Sequence, residues 1–243
     1  MTKEGFSRDN NRDNIQKRDV NIEINYLETN PYSVMIECGK TRVLCAATTD
    51  NWTPPHVRNE QKGWISAQYS MLPNSARDRV RRERRGTKGR TKEIERLIGR
   101  SFRAVTNLNA IPYESIIVDC DVIQADGGTR TASITGGFVA LYLLLKDLKK
   151  NNRISRNPVN NFMAAISAGM VHGGVLLDLN SVEDMAAQVD LNLVMDDAGR
   201  LIEVQATGEE ATFSPESMNE MMQVASSGII ELLEEQKKAL NII

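Results

Sequence analysis

The sequence predicts an α+β fold, and three patterns carry that reading. Its first fifty residues hold short runs that alternate apolar and polar positions around tight turns, as half-buried strands do. Two segments with apolar residues at helical spacing follow, and a third closes the chain. Strands come in groups before helices, with few strict strand–helix–strand alternations, which favours α+β over a doubly wound sheet. With 243 residues, 41% of them hydrophobic, the chain has apolar material for one large domain or for two small ones sharing a core. Residues 1–243 are taken as a single domain.

The elements follow in order. Residues 20–27 (VNIEINYL) alternate as a half-buried strand. Strands over 34–36 and 41–49 flank Cys38-Gly39-Lys40, a short hairpin turn. Residues 51–63 carry Pro54 and Pro55 and are loop; 63–71 is another strand. Gly89 and Arg90 lead into a helix with Ile94, Leu97, Ile98, Phe102 and Val105 on one face and Lys92, Arg96 and Arg103 on the other. A strand over 115–125 precedes a helix over 132–148, whose stripe is Ile134, Phe138, Leu141, Tyr142, Leu145 and Leu148. The second half repeats the order, with strands over 162–171, 174–179 and 188–195. A further strand over 200–205 pairs back across Asp196-Asp197-Ala198-Gly199, a strong hairpin signal. The last helix, 215–240, has Ser214 as N-cap and Pro215 at its first position.

Several function classes find no support. The longest strongly apolar run, 138–145, is too short for a bilayer, and the polar start MTKEGFSRDNNRD is no signal peptide. Cys38, Cys45 and Cys120 are odd in number and lie in apolar, strand-like stretches, so they read as buried thiols of a cytoplasmic protein. His56 and His172 have no neighbours at metal-ligand spacing, and there is no CxxC pair. The GTKGRT stretch at 86–91 lacks the glycine spacing of a P-loop, and no GxSxG is present.

Net charge is −2, but its distribution is lopsided. Between Arg77 and Arg103 twelve basic residues face four acidic ones, so this segment carries +8 and the remainder −10. That is the electrostatic footprint of a polyanion-binding protein. Residues 72–88, which include Arg77, Arg79, Arg81, Arg82, Arg84 and Arg85, have almost no apolar side chains and are expected to form a mobile, solvated loop.

The stretch DCDVIQADGGTRTA at 119–132 suits a phosphate. Two glycines let consecutive amides point at one spot, Thr129 adds a hydroxyl, Arg130 adds a planar fork of donors, and the helix that follows adds the positive end of its dipole. Asp-Gly-Gly also makes a plain strand-to-helix corner, and local pattern alone does not separate the two. Asp184 and Asp190 are six residues apart. On one strand they would lie about 20 Å apart, and on one helix they would point to different sides. They meet only if the chain turns between 183 and 187. Spacing alone favours solvated surface acids.

Taken together, GWISAQYSMLP (63–73), GRTKEIERLIGRSFRAV (89–105), VDCDVIQADGGTRTASITGGF (118–138), LLDLN (176–180), the acids at 184 and 190, and ATGEEATFS (206–214) resemble the ribonuclease PH family of phosphate-dependent 3′ exoribonucleases. The resemblance implies a β-α-β sandwich of two mixed sheets with packed helices. It also implies inorganic phosphate as co-substrate, held by Arg90, Gly128, Thr129 and Arg130, and Mg2+ on Asp184 and Asp190, with Arg90, Arg130 and the two aspartates catalytic. The basic loop would grip tRNA precursors and other RNA 3′ ends, and subunits would form a homohexamer, a trimer of dimers. Departures from the family pattern are Asp19 for a proline, Tyr32 for the glycine of a Gly-Ser step, Gln188 for a glutamate beside the metal acids, and Ala206 for a glycine. The competing reading is a non-catalytic RNA-binding ring subunit of the same fold. Such a subunit is expected to lose one of Arg90, Arg130 or the aspartates, and all are present.

Overall fold

A computed structural model of the chain describes residues 8, 11–50, 54, 57, 60, 62–83, 89–112, 114–208 and 211–242. Five strands form the first sheet: β1 (Val20–Ile24), β2 (Ser33–Cys38), β3 (Thr41–Asp50), β4 (Trp64–Met71) and β5 (Ser115–Gln124). Their order is β1-β2-β3-β5-β4, antiparallel except for the parallel pair of β4 and β5. The second sheet is antiparallel throughout, in the order β7-β6-β8-β9, from β6 (Met163–Val171), β7 (Gly174–Leu177), β8 (Val189–Asp196) and β9 (Leu201–Gly208). The described helices are α1 (Gly89–Ala104), α2 (Thr129–Lys150), α3 (Ser181–Ala186) and α4 (Pro215–Ala239).

Helix α2 lies between the sheets, against β2, β3 and β5 on one side and β6 on the other. Every residue from 131 to 141 is buried, so the single apolar stripe expected from the sequence is a helix covered all round. By length and mean hydropathy, 1.2, it would cross a bilayer, but 78% of that stretch is buried inside the protein. Gly136 permits the close approach of the first sheet. A Cβ there would stand 2.6 Å from Ile36 Cγ2. Helix α4 packs on β6, β7, β8 and β1, and completes the middle layer. Its buried Gln236 donates to the carbonyls of Thr135 and Met163, both at 2.9 Å, which ties both central helices to β6. Tyr32, the residue that replaces a family glycine, donates its hydroxyl to Asp147 at 2.7 Å and fastens β2 to the end of α2.

Two boundaries differ from the sequence reading in ways that matter for the site. Helix α2 begins at Thr129, three residues earlier than its apolar periodicity begins, so Thr129 and Arg130 stand in its first turn. Helix α3 is new. It occupies the acidic stretch before β8, with Asn180 as N-cap accepting from the Val182 and Glu183 amides and Glu183 accepting back from the Asn180 amide, a capping box. The three cysteines are free and buried, as their apolar surroundings predict.

Candidate active site

Strand β5 delivers the chain into Asp126-Gly127-Gly128, where both glycines adopt positive φ, 77° and 65°. A side chain at Gly127 would be strained by that conformation and would also lie 2.3 Å from the Leu179 carbonyl oxygen. Gly128 is the N-cap of α2 and has no side chain with which to cap it. The first-turn amides therefore keep their donors for an anion placed at the helix end.

Three side chains bear on that helix end. Thr129 shares a 2.8 Å hydrogen bond with the hydroxyl of Tyr69, a residue of β4 that is only 6% exposed. Burial pushes the Tyr69 phenol up, while the Thr129 hydrogen bond and the charges of Arg90 and Arg130 pull the other way. The charges of both guanidinium groups thus reach Tyr69, although Arg90 comes from α1 and Arg130 from α2. Arg130 Nη1 donates to Gln205 Oε1 on β9 at 2.8 Å, and Gln205 Nε2 donates to Glu93 Oε1 on α1 at 3.2 Å. Gln205 on β9 thus links Arg130 of α2 to Glu93 of α1 and holds the Arg130 guanidinium in place.

The carboxylates come from the other side. Helix α3 ends at Ala186, Ala187 is extended, and Gln188 already donates its amide to the Met170 carbonyl at 2.9 Å. The turn that Asp184 and Asp190 need in order to face one another is present between them. Asp184 is exposed on α3, and Asp190 is half-buried on β8, where Asn192 Nδ2 donates to it at 3.5 Å. Among the described residues no group of three or more His, Cys, Asp or Glu gathers to hold a metal. Two carboxylates are nonetheless the donor set magnesium commonly takes from protein, since it keeps several waters and binds substrate phosphate oxygens as well.

The N-terminal segment, which the sequence reading left as a polar start, braces α3. Arg8 donates to both carboxylate oxygens of Glu183, at 2.8 and 2.9 Å, and to the Leu177 carbonyl at 2.6 Å. Arg12 adds a 3.3 Å contact to the same carboxylate, which is 1% exposed. Arg18 grips Asp178 through Nε and Nη2 at 3.0 and 2.6 Å. Burial alone would raise the Asp178 carboxyl; the charge and hydrogen bonds of Arg18 reverse that and hold it below its usual range.

Arg77, Arg79, Arg81 and Arg82 are exposed; Arg84 and Arg85 lie outside the described residues. The loop is not solvated throughout. Ser75 is buried, and its carbonyl accepts from the Ala125 amide at 2.7 Å, next to Asp126-Gly127-Gly128. Its far end returns to α1, where Thr91 donates to Glu83 at 2.9 Å, one residue after Arg90. The helix face expected to be basic is partly spent on the fold: Arg103 donates to the Ile65 carbonyl at 2.6 Å and stacks over Trp64, and Arg100 pairs with Glu203.

Comparison with known proteins gives the family. Residues 16–145 match domain 1, and residues 161–228 domain 2, of the 3′ exoribonuclease family. Ribonuclease PH of Bacillus mycoides (strain KBAB4) and that of Bacillus cereus (strain B4264) are each 48% identical to the chain over 235 residues, 96% of either partner. Among solved structures, rice (Oryza sativa) Rrp46 superposes with a TM-score of 0.75 at 19% identity, covering 96% of this chain and all of that one. A chain of the Archaeoglobus fulgidus exosome with RNA bound to the active site gives 0.78 at 18% identity, over 94% of this chain and 92% of its own. These two likenesses concern the fold; the sequence identity concerns the family. The chain belongs to the 3′ exoribonuclease family, among the ribonucleases PH.

Proposed function

We propose that the protein is a phosphate-dependent 3′-to-5′ exoribonuclease of the cytoplasm that trims the 3′ ends of tRNA precursors and releases nucleoside diphosphates. The observation that carries this reading is the uncapped first turn of α2, where Thr129 is held by Tyr69 and Arg130 follows it. A hydrogen phosphate dianion bound there is the nucleophile. One of its oxygens attacks the terminal phosphorus, the bond to the 3′ oxygen of the preceding nucleotide breaks, and that oxygen takes up a proton. The products are a nucleoside diphosphate and an RNA one residue shorter.

Two anions must approach, so the chief tasks are charge compensation and alignment. Arg90 and Arg130 offset the charge of the incoming phosphate, and the helix amides fix its orientation. Asp184 and Asp190 are the residues that would hold magnesium, which when bound stabilises charge on the phosphoryl and leaving oxygens. No covalent enzyme intermediate is required. A phosphodiester is exchanged for a phosphoanhydride, so the reaction runs in reverse when diphosphate is abundant. We take the 243 residues as one domain because α2 serves the cores of both sheets, and we assign a homohexameric ring on the family pattern, which sedimentation velocity reads directly.

The reaction is tested by incubating the protein with a tRNA that bears extra 3′ nucleotides. Stepwise shortening with release of nucleoside diphosphates is expected with phosphate present, and none without it. Release of monophosphates, or shortening independent of phosphate, would mean hydrolysis and would refute the reading. The same assay on a ring subunit without catalysis would give binding and no products.

The basic loop has its own test. Neutralising Arg79, Arg81, Arg82 and Arg84 together is expected to weaken tRNA binding and flatten its salt dependence. Each lost phosphate contact lowers the slope of log K against log salt by about one unit. A dinucleotide-length substrate should be nearly unaffected. An unchanged slope takes the loop out of the RNA path.

A further inference from the structure

Asp126 poses a physical puzzle. It is an acid in a loop that we assign to an anion, where a carboxylate aimed at the ligand would oppose binding. It is aimed elsewhere. Asp126 Oδ1 accepts from the hydroxyl of Ser181 at 2.6 Å and from the Ser181 amide at 3.3 Å. Ser181 is the first residue of α3, and Asp184 follows it by three positions, so the two side chains share a face of that helix.

Two further fastenings join the same pair of segments. The backbone of Gly127 lies directly on that of Leu179 and Asn180, where a Cβ would come within 2.3 Å of one and 2.7 Å of the other. Arg18 reaches both segments at once. Its Nη1 donates to the Asp126 carbonyl at 2.6 Å, while Nε and Nη2 hold the carboxylate of Asp178. Its main-chain amide donates to Asp178 as well, at 2.8 Å. Asp178 has a φ of 54°, in the left-handed region, two residues before the cap of α3. The arginine and aspartate are 6% and 7% exposed at their side chains. Part-buried bonds from Asp126 to Ser181 and Arg18, and buried ones from Arg18 to Asp178, together fix the distance between two loops far apart in sequence.

We propose that Asp126 and Ser181, backed by Arg18 and Asp178, are positioning residues for phosphorolysis: they latch the phosphate loop to α3 and set the separation of the bound phosphate from Asp184. The inference rests on the site assigned above. None of the four touches the reacting atoms. Their effect is on alignment, and a displacement of about 1 Å at a reacting centre costs up to roughly a hundredfold in rate.

The test uses Ser181→Ala, Asp126→Ala, the double variant, and Ser181→Thr, which keeps the hydroxyl. Turnover on tRNA, phosphate affinity by calorimetry without metal, and melting temperature are measured for each, with Arg130→Ala and Asp184→Asn run alongside. The expected result is a fall in kcat of about tenfold to a hundredfold in each alanine variant, with phosphate affinity within about twofold of wild type, no additivity in the double variant, and recovery in Ser181→Thr. A purely structural contact would lower the melting temperature and leave kcat of the folded fraction intact, and that overturns the latch. Loss of activity in proportion to loss of phosphate affinity also overturns it, since Asp126 would then act on the phosphate itself. If Arg130→Ala or Asp184→Asn is fully active, the site reading fails first and the latch with it; if both are inactive and the alanine variants are not, only the latch fails.

Discussion

Arg130→Ala is expected to lower phosphorolysis at least a hundredfold while leaving tRNA affinity nearly unchanged, and Arg90→Ala is expected to do the same. On the proposed reading each guanidinium serves the bound nucleophile, and a fixed donor aimed at developing charge is worth about 3 kcal/mol or more. On the same reading the polynucleotide is held elsewhere, by the arginines of the loop from 77 onward, which are exposed up to Arg82, so its binding should survive. Arg130 is held by Gln205, which is in turn held by Glu93. For this reason Arg130→Lys should recover little: an ammonium neither reproduces the planar fork nor keeps the same bond to Gln205. Single-turnover rates across a phosphate titration make the measurement, with filter binding of tRNA as the control. Near wild-type turnover at saturating phosphate in both alanine variants would remove these residues from the site.

How far the site was legible before the structure depends on the range of the interactions involved. Asp-Gly-Gly followed by Thr129 and Arg130 could be read locally, because positive φ, a helix start and a fork of donors are properties of neighbouring residues. The start of α2 was placed late because Thr129 and Thr131 add nothing to an apolar stripe; the helix begins where Gly128 turns. Helix α3 has six residues, too few for a period of 3.6 to register, and its one local sign was the Asn180–Glu183 capping spacing. Without that helix, the turn that Asp184 and Asp190 require was only a condition. Nothing local marks Arg8, Arg12 and Arg18, whose carboxylate partners lie 160 to 175 residues away. A polar, arginine-bearing segment reads as a solvated arm until the fold supplies Asp178 and Glu183. Tyr69 and Gln205 were hidden in the same way. Each lies on a strand whose alternation accounts for it, and only the packing of β4 and β9 against α1 brings them to Thr129 and Arg130.

Asp184→Asn and Asp190→Asn should each remove most of the magnesium-dependent activity and leave the protein folded. A carboxylate contributes a full charge and a hard oxygen to a cation, whereas the amide offers only a neutral carbonyl. Losing one of two such donors should weaken metal binding and slow the chemical step by about two orders of magnitude or more. The direction of the stability change separates this from simple damage. On the proposed assignment the two carboxylates stand together and repel one another without a cation, so neutralising either should leave the melting temperature unchanged or slightly raised. Asp184 is exposed and Asp190 only half-buried, so neither substitution disturbs the core. Activity is read across a magnesium titration, and Mn2+ binding is followed in parallel by its paramagnetic signal. Loss of both together is the expected outcome. Wild-type activity and unchanged Mn2+ affinity in either variant would show that its aspartate holds no metal, and the charge on the leaving oxygen would then have to be met by Arg90 and Arg130 alone.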